Sequence, residues 1–194
     1  MAQPIEFWFD FSSPYGYLGS RRIKALAAKH GAAVRWRPFL LGVLFQTTGQ
    51  TPLLEQPLRG PYAVRDIARA ARLHGIPFRL PRPFPFASVA AARLFYWLEE
   101  RDPAAAIAFA KAVYARAFED GSAVSGAEEA ADVAAGLGLD RAEILAALQE
   151  PEVKQRLRST NEEAVAKGVF GSPFFIVDGE PFWEIGRASC RERV

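Results

Sequence analysis

The chain has 194 residues, half of them hydrophobic, enough to bury one sizeable core as a single domain or a domain with a large insertion. The lone cysteine, Cys190, excludes an internal disulfide and a cysteine metal cluster, and no apolar run reaches transmembrane length. The formal charge of +2 is supplied by residues 185–194, with three Arg against one Glu, so the remainder is neutral and carries no general nucleic-acid footprint.

Met1-Ala2-Gln3-Pro4 lacks a basic region followed by an apolar core, so a cytoplasmic protein is expected. Ile5 to Phe11 is apolar and aromatic and reads as a buried strand. Ser12-Ser13-Pro14 then switches the period from strand to helix. Ser12 is the expected N-cap, and Pro14 suits a first turn, where its missing N–H costs nothing. Ser13 therefore sits at the mouth of a helix whose free N–H groups and dipole favour an anion, a thiolate included. The helix runs from Ser13 to Lys29 and stops at His30-Gly31.

Val34 to Phe39 alternates apolar and basic residues, giving a second strand and a β-α-β unit with a parallel crossover. Leu40 to Gln56 reads as loop, with Gly42, Thr47, Thr48, Gly49 and Pro52 in it. Tyr62 to His74 is an amphipathic helix. Pro77 to Phe86 is interrupted by prolines and fits neither helix nor central strand. Helices follow over Ala87–Glu100, Pro103–Glu119, Ala127–Gly136, Arg141–Gln149 and Glu152–Lys167. Phe174 to Val177 is a buried strand, Asp178-Gly179 a two-residue hairpin turn, and Pro181-Phe182-Trp183 the return strand. Pro173, directly before a buried strand, is a candidate cis-proline. Residues 185–194 break the pattern and read as translated vector sequence.

This layout, with the motifs Phe9-Asp10-Phe11-Ser12-Ser13-Pro14-Tyr15, Pro38-Phe39-Leu40-Leu41-Gly42, Arg65-Asp66 and Gly168-Val169-Phe170-Gly171-Ser172-Pro173-Phe174-Phe175, resembles one family. It is that of the 2-hydroxychromene-2-carboxylate isomerases, relatives of kappa-class glutathione transferases. The resemblance covers residues 4 to 183. It implies an α/β, thioredoxin-like fold with a DsbA-type helical insertion. Residues 1–56 and 168–184 would form the thioredoxin-like halves, and 57–167 the insertion.

The resemblance also implies function. Glutathione would lie against the proline loop with its sulfur at the first helix. Ser13 stands where redox relatives carry a nucleophilic cysteine, and Gly16 stands at their second thiol position. Ser13 would donate a hydrogen bond to the sulfur, and with the helix dipole would lower the thiol pKa. Gln50 and Arg59 stand where the family has glutathione-binding Asn and Lys, and the backbone of Ser172, before Pro173, would pair with the cysteinyl amide. Arg59 could also dock the carboxylate of a small aromatic substrate. Where the family continues with Gly-x-Asp-Arg and a last helix, this chain runs from Trp183-Glu184 into the tail. A homodimer is expected by the same analogy. Two other functions compete: a kappa-type glutathione transferase or peroxidase acting on another electrophile, and a thioredoxin-fold module that binds without turnover.

Read alone, several residues carry structural roles. Asp10 fits a partner of loop N–H groups better than an acid catalyst. Tyr15 and Tyr17 fit core packing. His30 and His74 each fit a helix end. Phe84, Phe86, Phe39 and Trp36 fit either core or the wall of an aromatic site.

Overall fold

The computed structural model describes residues 3–183. The elements, in order, are β1 (Ile5–Phe9), α1 (Pro14–Lys29), β2 (Val34–Pro38), α2 (Leu41–Thr48), a short 3₁₀ turn (Leu53–Glu55), α3 (Arg59–Leu73), α4 (Val89–Arg101), α5 (Pro103–Phe118), α6 (Ala127–Ala135), α7 (Arg141–Ala147), α8 (Pro151–Ala166), β3 (Phe174–Val177) and β4 (Glu180–Trp183). The sheet order is β2-β1-β3-β4. β1 and β2 are parallel, and β3 runs antiparallel to both β1 and β4. The tail, with Cys190, lies outside the described residues.

Strand period explains the two faces of the sheet. Phe7 and Phe9 point one way, together with Trp36, and ring centroids of Phe7 and Phe9 lie 5.1 and 5.4 Å from Trp36. Phe175 stacks on Phe7 at 5.3 Å. This face joins the large core with α1, α4 and α5. Trp8 points the other way, into a smaller cluster with Phe39, Leu44, Ala164 and Phe174. Arg37 shares that side: its guanidinium covers the Trp8 ring at 4.8 Å and pairs with Glu163 of α8. Trp36 and Phe39 are thus core residues, as is Phe86.

Three expectations change. The first is the loop expected over Leu40 to Gln56, which holds α2 and the 3₁₀ turn. The orphan amides at the start of α2 are satisfied from afar: Asn161 Oδ1 accepts from Leu40 N at 2.9 Å, and Asp10 Oδ2 from Leu41 N at 2.7 Å. The second concerns the cap of α1, which is Ser13, not Ser12. Ser12 instead turns its hydroxyl back to Asp10 Oδ1 at 2.9 Å. The third is the start of the helix expected from Tyr62: α3 begins at Arg59, one residue after Leu58, which has φ +65°.

The hairpin forms as expected. Asp178 and Gly179 take φ of 50° and 82°, the pair of left-handed residues that a type I′ turn requires. The Ser172–Pro173 bond is cis, and so are Arg82–Pro83 and Phe84–Pro85. Among the described residues no helix is long and apolar enough to cross a membrane.

Candidate active site

The end of β1 turns sharply into α1, and Asp10 holds that turn. Its Oδ1 accepts hydrogen bonds from Ser12 N (2.7 Å), Ser12 Oγ (2.9 Å) and Ser88 Oγ (2.7 Å), and its Oδ2 from Leu41 N. Four donors surround one buried carboxylate, which fastens the turn to two other parts of the chain. The Asp10 backbone is also held: its N–H donates to Ser172 Oγ at 2.9 Å, and its carbonyl accepts from Tyr114 Oη at 3.0 Å. Burial, then the nearby Asp10 charge, raises the pKa of the Tyr114 hydroxyl, so it stays a donor.

This knot places Ser13. Its Oγ accepts from Gly16 N at 3.0 Å, the N-cap bond of α1, and donates to the carbonyl of Ser172 at 2.8 Å. The structure therefore brings Ser13, Ser172 and Pro173 together across 159 residues of sequence. The hydroxyl has one proton, which it donates to Ser172 O. To donate to a sulfur it must turn away from that carbonyl while keeping the Gly16 N–H.

α1 comes this close to the proline loop because it carries glycines. A Cβ on Gly16 would lie 2.7 Å from Tyr114 Oη and 2.8 Å from Ser172 Oγ. A Cβ on Gly19 would lie 3.1 Å from Pro173 Cβ. Each glycine costs a helix interior about 1 kcal/mol against alanine, and close approach is what offsets it here. A side chain at position 16 would force Tyr114 and Ser172 to shift.

Gln50 and Arg59 are exposed. Arg59 opens α3, with its Nη1 3.5 Å from Gln56 Oε1. Neither residue bonds to Ser13 or Ser172. Tyr15 and Tyr17 tie α1 to its surroundings. Tyr15 Oη donates to Asp66 Oδ2 of α3 at 2.9 Å, and Tyr17 Oη to Pro77 O at 2.7 Å. Burial, then Glu119 beside it, pushes the Tyr17 hydroxyl far above its ordinary range. His30 and His74 end α1 and α3.

Ser88 and Tyr114 were not legible as site residues. Nothing in their local sequence marks them, because their partner, Asp10, is 78 and 104 residues away. The oxygen atoms of Ser172 are likewise visible as a support only once the proline loop is folded against β1.

A parallel β-α-β unit, an antiparallel hairpin led by a cis-proline, and a capped helix N-terminus facing that proline define a thioredoxin-like protein. The family model for the DsbA-like thioredoxin domain matches residues 4–188, and the chain belongs to that family. Among curated relatives it is similar to glutathione S-transferase kappa 2 of Caenorhabditis elegans, 28% identical over 90% of this chain and 81% of that one. It is similar also to 2-hydroxychromene-2-carboxylate isomerase of Sphingobium xenophagum, 27% identical over 94% and 93% of the two chains. A solved structure of a 2-hydroxychromene-2-carboxylate isomerase superposes with TM-score 0.87 at 26% identity, over 98% of this chain and 93% of that one. The relatives are isomerases and glutathione transferases, which makes this chain a member of an enzyme family.

Proposed function

We propose that the chain is a glutathione-dependent isomerase that interconverts 2-hydroxychromene-2-carboxylate and trans-o-hydroxybenzylidenepyruvate in the breakdown of aromatic compounds. The observation that carries the reading is the Ser13 hydroxyl, capping α1 and resting on the carbonyl before Pro173. No thiol stands at the site among the described residues, so the reaction would borrow its sulfur, and a hydroxyl with a helix N-terminus behind it suits a thiolate. The close neighbours by name, an isomerase and a kappa transferase, support the same reading.

The residues present fit that group. Gly16 leaves the second thiol position without a side chain, and its amide holds Ser13 Oγ by a lone pair, so the hydroxyl proton can leave the Ser172 carbonyl for a sulfur without losing the cap bond. Glutathione, when bound, supplies a nucleophilic sulfur. Ser13 would hold that sulfur in its charged form by one charge-assisted hydrogen bond. The backbone of Ser172 would hold the cysteinyl amide, its carbonyl oxygen being released when the Ser13 hydroxyl turns to the sulfur. Gln50 and Arg59 would hold the rest of the tripeptide, with Arg59 or a nearby base docking the substrate carboxylate. Asp10 and Tyr114 act on none of these groups directly; they fix the turn from which Ser13 projects. A homodimer in the cytoplasm belongs to the same reading, and light scattering on the purified chain checks the dimer.

The test is turnover of 2-hydroxychromene-2-carboxylate with and without glutathione, in the wild type and in Ser13→Ala. Glutathione-dependent turnover is expected, falling at least tenfold in the variant. Turnover that ignores glutathione, or a variant as fast as wild type, overturns the reading. Activity on a chlorinated aromatic or a hydroperoxide, with none on the chromene, would place the chain with the kappa transferases instead.

A further inference from the structure

A second feature lies apart from Ser13. α2, the start of α4 and one side of α8 border an open hollow of about 590 Å³, a size suited to a small organic molecule. Ser13, Ser172 and Pro173 do not line it. Its apolar wall comes from Leu40, Val43, Leu157 and Val165. Val165 is 41% exposed, a large apolar side chain left open to solvent beside this hollow.

The polar part of the lining is lopsided. Arg93, Lys154 and Arg158 line the cavity against one carboxylate, Glu162. None of the three cations forms an ion pair among the described residues, although most other basic side chains near α8 do: Arg37 and Lys167 pair with Glu163, and Arg156 lies 3.9 Å from Glu99. Arg93 is the telling member. It is half-buried on α4, and its Nε is fully covered with no hydrogen-bond partner in the protein. An anion in the cavity cannot reach that covered Nε, but the terminal guanidinium nitrogens of Arg93 make no hydrogen bond among the described residues, are not covered in the same way, and can take one. The planar fork of Arg93 matches a carboxylate, and two further cations at the same hollow add to the attraction.

We propose that this cavity is a binding site for a small apolar carboxylate, with its acid group on Arg93 and its apolar body against Leu40, Val43 and Leu157. Lys154 and Arg158 draw the anion in. The site does not depend on the glutathione reading, because it shares no residue with it. It borders the same knot: Leu40 and Val89 of the lining adjoin Leu41 and Ser88, which both donate to Asp10.

The experiment titrates 2-naphthoate into the full chain by calorimetry, with neutral 2-naphthamide as the control. Expected are one bound naphthoate per chain and at least tenfold weaker binding of the amide. Arg93→Gln is expected to weaken naphthoate about tenfold or more, the loss of one charge-assisted contact, and to leave the amide unchanged. Arg158→Ser is exposed and keeps the test decisive if Arg93→Gln does not fold; it is expected to weaken naphthoate by a few fold, more at low salt than at high salt. Saturating S-methylglutathione is expected not to displace naphthoate. Absence of binding at millimolar naphthoate, equal affinity for acid and amide, or an Arg158→Ser chain that binds as wild type overturns the proposal. So does competition by S-methylglutathione, which would move the ligand to the Ser13 site. Failure of chromene turnover would leave these outcomes intact.

Discussion

Gly16→Ala is a sharp test of the site's packing, because two effects of opposite sign meet there. Alanine is the better helix former, by about 0.5–1 kcal/mol in a helix interior. Against that, its Cβ would sit 2.7 Å from Tyr114 Oη and 2.8 Å from Ser172 Oγ, so both oxygens must withdraw. Both are anchored on the Asp10 backbone, at 3.0 and 2.9 Å. Losing one of those bonds leaves a buried polar group unmatched, about 1–3 kcal/mol, and overpacking adds about 1–3 kcal/mol. The balance is a destabilisation of about 1–5 kcal/mol. Urea unfolding reads it as a lower midpoint at unchanged slope. Tyr114→Phe removes one of the clashing oxygens, so the double variant should lose at least about 1 kcal/mol less than the sum of the single ones. A Gly16→Ala chain as stable as wild type, or strict additivity in the cycle, would refute the claim that position 16 is closed by its neighbours.

Other outcomes follow from the same contacts. Ser13→Ala removes the N-cap of α1 and is expected to cost about 1 kcal/mol in urea unfolding, so the chain stays folded in the turnover assay. Asp10→Ala strands two backbone amides and two hydroxyls, and should cost at least about 3 kcal/mol, with Asp10→Asn intermediate; thermal unfolding checks the order. Glu6 is a pH probe. Burial pushes its pKa up, but hydrogen bonds from Lys167 and Trp8, with the charges of Lys167 and Arg37, outweigh that and hold it below 4.5. Its contribution is therefore present above the unfolded-state pKa and fades as pH falls through the lower folded value. Glu6→Gln should lose about 1 kcal/mol or less at pH 7 and show a shallower acid limb than wild type in unfolding measured from pH 6 to 3.

The fold was legible in the sequence where periodicity is local. Phe7-Trp8-Phe9 reads as a strand buried on both faces because every position is apolar, and Asp178-Gly179 reads as a hairpin because both residues tolerate left-handed backbone. α2 was hidden because its start is satisfied by Asp10 and Asn161, 31 and 121 residues from the amides they accept. Without those acceptors, Leu40 to Thr48 is a short, uncapped segment that ends in residues of poor helix propensity. The shift of the cap from Ser12 to Ser13 has the same origin. Either serine could cap, and the choice falls to Asp10, which captures the Ser12 hydroxyl and amide and leaves Ser13 for Gly16.

The candidate site divides along the same line. Ser13 and Pro173 were each visible as local motifs, a cap before a proline and a proline before a strand. Their meeting depends on Asp10, whose backbone donates to Ser172 Oγ while its carboxylate spans Ser12, Leu41 and Ser88. A carboxylate that accepts four donors from three parts of the chain is a fastening whose loss is felt wherever those parts are used. The turn that presents Ser13 and the wall of the Arg93 cavity share it. A substitution at Asp10 should therefore disturb both at once, whereas one at Ser13 or at Arg158 should disturb only its own. Measuring naphthoate affinity and glutathione-dependent turnover in Asp10→Asn separates these cases: loss of both supports a shared support, and loss of one alone contradicts it.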